Sequence, residues 1–313
     1  MKVVFFGTPD FAVASLSAIH ESREHTIVGV VTSVDKPAGR GKKLRSSAVK
    51  NYATENELYL LQPENLKSNE FISQLQNLNA DIFVVVAFRM MPKSVWSLPK
   101  HCTFNLHASL LPQYRGAAPI NWAIINNEKE TGVTTFLIDE KIDTGNVLLN
   151  EKIKIEKEDN AGSLHDKLMI LGKELVVKTL NCIEESSVKP IEQNIKNLDL
   201  KTAPKLNKEN TKINWEKGAR EINSLIKGLS PYPSAWCQLK LNDRLFNFKI
   251  FRAEIGEDLK LKPGEVLMGK NKLTVGTSSG TLKLIDVQLE GKRRTAIADF
   301  VNGHKQFNQI LLI

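Results

Sequence analysis

Apolar residues in the first half of the chain fall into short unbroken runs separated by stretches long enough for helices. The runs are 2–6 (KVVFF), 26–31 (TIVGVV), 58–62 (LYLLQ), 81–88 (DIFVVVAF), 103–108 (TFNLHA) and 132–139 (GVTTFLID). Residues 11–19, 46–56 and 68–78 read as helices between them, and a longer helix runs from about 163 to 185. Strands with no polar alternation are buried on both faces, which is the habit of parallel sheets covered by crossover helices. The expected fold is α/β, a Rossmann-like doubly wound, mainly parallel sheet.

After residue 185 the pattern changes. Residues 186–212 are polar, poor in aromatics and carry Pro190 and Pro204, as a connector would. Its centre, 190–208, divides a domain at 1–189 from a second at 209–313. A short helix at 215–228 precedes five short strands at 234–241, 245–254, 264–269, 272–278 and 281–290. Short strands at this spacing predict a small C-terminal β-barrel of the oligonucleotide-binding (OB-like) kind. Trp215 and Trp236 read as core residues of that barrel domain.

Composition narrows the classes. The chain of 313 residues is 42% hydrophobic and 25% charged, ordinary for globular protein of two domains. Cys102, Cys182 and Cys237 are odd in number and far apart, which argues against a disulfide framework or a cysteine zinc site and fits a reducing, cytoplasmic setting. No apolar run approaches the ~18 residues of a membrane span, and no leader pattern opens the chain. No heptad or apolar stripe marks an oligomer interface, so a monomer is expected. Residues 1–204 hold 24 basic and 24 acidic side chains. From 205 onward there are 19 basic against 11 acidic, so the whole net charge of +8 belongs to the last third. Such a surplus suits a polyanionic partner.

The first turn, Gly7-Thr8-Pro9-Asp10, has one glycine and a proline without an N–H. It cannot cradle a pyrophosphate as G-x-G-x-x-G does, and no P-loop occurs, so dinucleotide and ATP chemistry are disfavoured.

The most informative stretch is Phe104-Asn105-Leu106-His107-Ala108-Ser109-Leu110-Leu111-Pro112. Alternate residues of a strand share a face, so Asn105 and His107 project together at a strand's carboxyl end, where open α/β sheets bind ligands. A carboxylate at the Gly-marked turn Ile142-Asp143-Thr144-Gly145 could orient the imidazole. Asp139, Glu140 and Asp143 all qualify by spacing. An amide, an imidazole and a carboxylate suit acyl transfer through a tetrahedral intermediate, with Asn105 donating to the developing oxyanion and His107 polarising the carbonyl or moving a proton. No metal is implied: His101, Cys102 and His107 form no ligand pattern.

The run FNLHASLLPQYRGAAPINWAI, then GVTTFLID and IDTG, resembles the signature of the folate-dependent formyltransferases, which use an Asn-His-Asp trio on a Rossmann-like fold. The resemblance spans nearly the whole chain and is weakest at 186–212. It implies Asn105, His107 and Asp143 as catalytic residues and 10-formyltetrahydrofolate as co-substrate. It further implies that Ser109, Leu110, Leu111 and Pro112 border the folate site, with the pterin near Val86, Ala87, Phe88, Met90 and Met91. Within the family, four features resemble the branch that formylates methionyl initiator tRNA. These are FFGTPDFA at the start, the basic loop DKPAGRGKKL, the segments WEKGA and LSPYPSAW, and the basic C-terminal domain. Residues 35–50 hold six Lys or Arg against one Asp, with Gly39 and Gly41 flanking Arg40, as suits a mobile basic finger. Lys36, Arg40, Lys42, Lys43 and Arg115 are the implied tRNA contacts.

Arg40→Ala is expected to raise the KM for tRNA far more than that for folate. Steady-state kinetics with each substrate varied in turn checks this.

Overall fold

The computed structural model describes residues 1–38, 43–196, 198–242, 244–257, 259–304 and 310–313. The chain forms two compact units. One comprises Met1–Gly116, Glu130–Lys154 and His165–Thr202, the other Ala117–Lys129, Ile155–Leu164 and Ala203–Ile313.

Among the described residues the first unit has ten strands, six of which overlap the apolar runs. They are β1 (Lys2–Gly7), β2 (Thr26–Val31), the short hairpin β3 (Lys36–Ala38) and β4 (Lys43–Arg45), β5 (Leu60–Leu61), β6 (Ile82–Val86), β7 (Cys102–His107), β8 (Arg115–Gly116), β9 (Glu130–Leu137) and β10 (Val147–Lys154). The main sheet has the order β10-β9-β7-β6-β1-β2-β5. β5, β2, β1, β6 and β7 are parallel, while β9 and β10 add antiparallel pairs at one edge. The mainly parallel, doubly wound sheet expected from the sequence is therefore present. Every residue of β6 and five of the six in β1 are buried, as two-sided covering demands. The order turns back between β1 and β6, so the carboxyl ends of β1, β6 and β7 mark the switch point.

Helices α1 (Asp10–Ser22), α2 (Ala48–Glu55), α3 (Asn69–Asn77) and α4 (Lys93–Trp96) lie in the connections between strands, the long α6 (Ala161–Glu184) follows β10, and α5 (Pro119–Ile125) belongs to the second unit. The serines that precede α2 and α3 cap them. Ser47 Oγ accepts from the Lys50 N–H at 3.0 Å, and Ser68 Oγ from the Phe71 N–H at 3.4 Å. Sequence reading missed β10. Its residues VLLNEKIK alternate in burial, as an edge strand does, and lack the continuous apolar run of its neighbours.

The second unit holds the predicted barrel. After β11 (Thr202–Ala203) and α7 (Ala219–Leu229) come β12 (Ala235–Leu241), β13 (Arg244–Ile255), β14 (Val266–Met268), β15 (Leu273–Gly276), β16 (Thr281–Leu289), β17 (Thr295–Ala296), α8 (Ile297–Gly303) and β18 (Ile310–Leu312). The antiparallel order is β14-β15-β16-β13-β12-β18, with β17 on β16. The ends approach each other: Glu265 bridges Leu311, and the Leu312 N–H donates to the Gly264 carbonyl at 3.0 Å. That contact nearly closes the sheet. β12 alternates cleanly, with Ala235, Cys237, Leu239 and Leu241 inward against Phe248, Ile250, Leu284 and Val287. Each of the Leu, Ile, Val and Phe side chains among them contributes roughly 1.5–3 kcal/mol by leaving water. Burial pushes the Cys237 thiol up, well above its ordinary range. Trp215 is a core residue as expected. Trp236 is only half-buried. Its indole N–H donates to the Lys208 carbonyl at 3.0 Å, and the ammonium groups of Lys208 and Lys212 lie 5.3 and 5.8 Å from its ring.

Gly264 has φ +79°, and a Cβ there would stand 2.2 Å from the Leu312 carbonyl oxygen. Gly264→Ala is expected to destabilise the barrel by about 1–3 kcal/mol, read by chemical denaturation of the full chain.

Candidate active site

β7 carries the two polar residues singled out from the sequence. Asn105 pairs in register with Val85 on one side and Phe136 on the other, and His107 lies opposite Thr134. Both side chains project to one face at the carboxyl end of the strand. Asn105 Oδ1 is buried and has no hydrogen-bond partner among the described residues. A buried amide oxygen without a partner is costly inside a fold, and it suits a site that receives a polar group from outside.

His107 is 6% exposed and held at one nitrogen. Nε2 lies 2.9 Å from the carbonyl oxygen of Tyr114, which can only accept, so Nε2 carries the proton. Nδ1 therefore faces the other way, 3.7 Å from Asp143 Oδ2. The three carboxylates left open by spacing now separate. Asp139 accepts from the Thr144 hydroxyl at 2.8 Å and the Lys141 N–H at 3.0 Å. Glu140 pairs with Lys93 at 2.8 Å, and that hydrogen bond holds its carboxyl below the usual range. Asp143 reaches the imidazole.

The turn bearing Asp143 is tightly specified. Asp143 has φ 55°, in the left-handed region, and its Oδ2 accepts from the Gly116 N–H at 2.9 Å. Gly145 lies against β9, where an added Cβ would stand 1.7 Å from the Leu137 carbonyl oxygen. Sequence reasoning missed Thr134 and Gln193. Thr134 Oγ1 donates to the Ser109 carbonyl at 2.7 Å and accepts from the Leu111 N–H at 3.2 Å, which pins the turn after β7. Thr134 stands beside His107 through the pairing of β7 with β9, which residue pattern alone does not give. Gln193 gives no signal either, because it lies in the polar stretch read as a connector.

The residues expected to border folate are divided in environment. Ser109 is buried and its hydroxyl donates to the Gln113 carbonyl at 2.6 Å; Leu110, Leu111 and Pro112 follow, half-buried. After β6, Val86 and Met91 are buried and Phe88 packs on Phe6, with ring centroids 5.6 Å apart. Ala87, at φ 47°, and Met90 are exposed on the turn itself. Arg89 folds back on the preceding loop and donates to the carbonyls of Pro63 and Glu64.

Of the basic positions, Lys36 is exposed on β3, and Lys43 opens β4. Arg40 and Lys42 lie outside the described residues. The hairpin's base is anchored by Asp35, which pairs with Lys50 at 2.6 Å and accepts from Gln62 at 3.2 Å. Lys50 is thus committed to the fold, and its hydrogen bond, with that of Gln62, lowers the Asp35 carboxyl below its ordinary range. Arg115 donates through Nε and Nη2 to Gln193 Oε1 at 3.1 and 2.6 Å. Among the described residues no group of three or more His, Cys, Asp or Glu could hold a metal ion, and no helix is long and apolar enough to cross a membrane.

A family model described as formyl transferase matches residues 1–180, and one described as formyl transferase, C-terminal domain, matches 205–305. A methionyl-tRNA formyltransferase of Flavobacterium johnsoniae is 52% identical over 304 residues, covering 97% of this chain and 96% of that protein. Another, from Bacteroides fragilis, is 46% identical over 308 residues, covering 97% and 95%. The chain belongs to the methionyl-tRNA formyltransferase family. Solved structures share the formyltransferase fold at lower identity. An N-formyltransferase from Helicobacter canadensis, in complex with folinic acid and dTDP-3-aminofucose, has a TM-score of 0.65 at 22% identity, covering 94% of this chain and all of that one. HypX from Aquifex aeolicus, in complex with tetrahydrofolic acid, has a TM-score of 0.66 at 19% identity, covering 98% of this chain and 48% of that one.

In this formyltransferase Gly145→Ala must displace the turn that carries Asp143. Turnover is expected to fall at least about tenfold, with a lowered melting temperature, measured by initial rates and thermal unfolding.

Proposed function

We propose that this chain transfers the formyl group of 10-formyltetrahydrofolate to the amino group of the methionyl residue on initiator tRNA, with Asn105, His107 and Asp143 performing the transfer. The carrying observation is the His107 ring, whose Nε2 is committed to Tyr114 while Nδ1 turns toward Asp143 at 3.7 Å. When bound, 10-formyltetrahydrofolate supplies an electrophilic formyl carbon. Asn105 donates its side-chain amide N–H to the formyl oxygen as charge gathers there. His107 presents Nδ1 beside Asp143 as the nitrogen free to exchange a proton, and it stabilises the formyl oxygen only when that nitrogen is protonated. Asp143 keeps the ring in place and draws the proton from the attacking methionyl nitrogen, directly or through water; the bond from the formyl carbon to N10 then breaks, and N10 takes up a proton as tetrahydrofolate leaves. Ser109 to Pro112 and the turn at Val86–Met91 border the folate.

The acceptor is argued from both units. Family relatives carry the methionyl-tRNA name over almost the whole length of this chain. The excess of basic residues lies from 205 onward, and Lys208 and Lys212 flank the half-buried Trp236. Cations around an aromatic ring suit single-stranded or terminal nucleotides. Lys36, Arg40, Lys42 and Lys43 form the second basic element, and Arg115 lies beside the catalytic turn. A cytoplasmic setting fits the free cysteines.

Purified protein mixed with methionyl-tRNA and 10-formyltetrahydrofolate is expected to yield formylmethionyl-tRNA. Removing one oxyanion donor raises a barrier by ~2.7–4 kcal/mol. Asn105→Ala and His107→Ala are each expected to lose at least about a hundredfold in turnover while folding normally. Turnover near wild type in either variant contradicts these roles.

A further inference from the structure

Gln193 lies in the polar stretch after α6, yet it is only 8% exposed. Two residues earlier, Ile191 bridges Val147, each N–H donating to the other's carbonyl at 2.8 Å. This bridge lays the returning chain beside the start of β10. Ile191 stays 66% exposed, and Gln193 turns inward. Both ends of its carboxamide are then engaged. Nε2 donates to the Asp143 carbonyl at 3.0 Å and the Gly145 carbonyl at 2.7 Å. Oε1 accepts from Arg115 Nε and Nη2. The site needs two N–H donors on one side and an acceptor on the other, a demand that a carboxamide meets and a carboxylate does not.

We infer that Gln193 is a positioning residue for the formyl transfer proposed above, on which this assignment rests, and that it acts through Asp143. The left-handed backbone of Asp143 persists only where its surroundings over-determine it. Gly116 holds the carboxylate, and Gln193 holds the backbone on both sides of Thr144. Without the two carbonyl contacts the turn relaxes and the carboxylate drifts from His107 Nδ1. A displacement of ~1 Å at a reacting group lowers rates by up to about a hundredfold.

The test uses the full chain with Gln193→Met, which keeps length and removes every hydrogen bond, alone and combined with Asp143→Asn. Turnover, both KM values and the melting temperature are measured. Gln193→Met is expected to lower kcat about ten- to a hundredfold, with KM for folate changed by less than about threefold. In the Asp143→Asn background the same substitution is expected to add less than about twofold, because the group it positions is already altered. Unchanged kcat, or an equal loss in both backgrounds, overturns the assignment. If Gln193→Met melts below the assay temperature, Gln193→Asn, which keeps the carboxamide but draws it back, is used for the same comparison. Active wild type with unaffected Gln193 variants removes this inference alone, whereas inactive wild type removes the proposed function with it.

Discussion

The hydrogen bond between His107 Nε2 and the Tyr114 carbonyl is the constraint on which the site depends. It fixes the ring's orientation and assigns the proton on that nitrogen, so chemistry is left to Nδ1. Everything nearby serves that arrangement. Thr134 ties down the turn that returns the chain to Tyr114, and the Gly116 N–H sets the carboxylate of Asp143 in front of Nδ1. The left-handed turn at Asp143 is held by contacts from segments distant in sequence.

The sheet explains why these groups meet at all. β7 is the last parallel strand, and its partner on the other side, β9, runs antiparallel. The carboxyl end of β7 therefore lies beside the middle of β9, and the loop leaving β9 returns past it toward β10. That geometry brings Asp143 to His107, although 35 residues separate them in sequence (107 to 143 inclusive of neither). Asn105 needs no such help, because strand alternation alone places it on the same face.

Much of this was legible from residue pattern. The apolar runs at 2–6 and 81–88 marked buried parallel strands, and five short strands from 234 to 290 marked the barrel. Asn105 and His107 stood out because polar residues two apart interrupt an apolar strand at its end. Residue pattern alone left gaps, Thr134 and the half-buried Trp236 among them. β10 carries a single apolar residue, Ile153, after Leu149, so no long apolar run marked it. The choice among Asp139, Glu140 and Asp143 depended on which carboxylates found other partners, Thr144 and Lys93, and spacing carries no such information. Gln193 is buried by a single backbone bridge at Ile191 within an otherwise polar stretch, which no periodicity announces.

The most direct test is the tautomer of His107. Nitrogen-15 NMR of the histidine-labelled protein, with the signal assigned by its loss in His107→Ala, reports which ring nitrogen bears the proton when the ring is neutral. The structure predicts a proton on Nε2, bonded to Tyr114, and a bare Nδ1. A neutral ring protonated on Nδ1 would contradict the orientation from which the catalytic roles are argued.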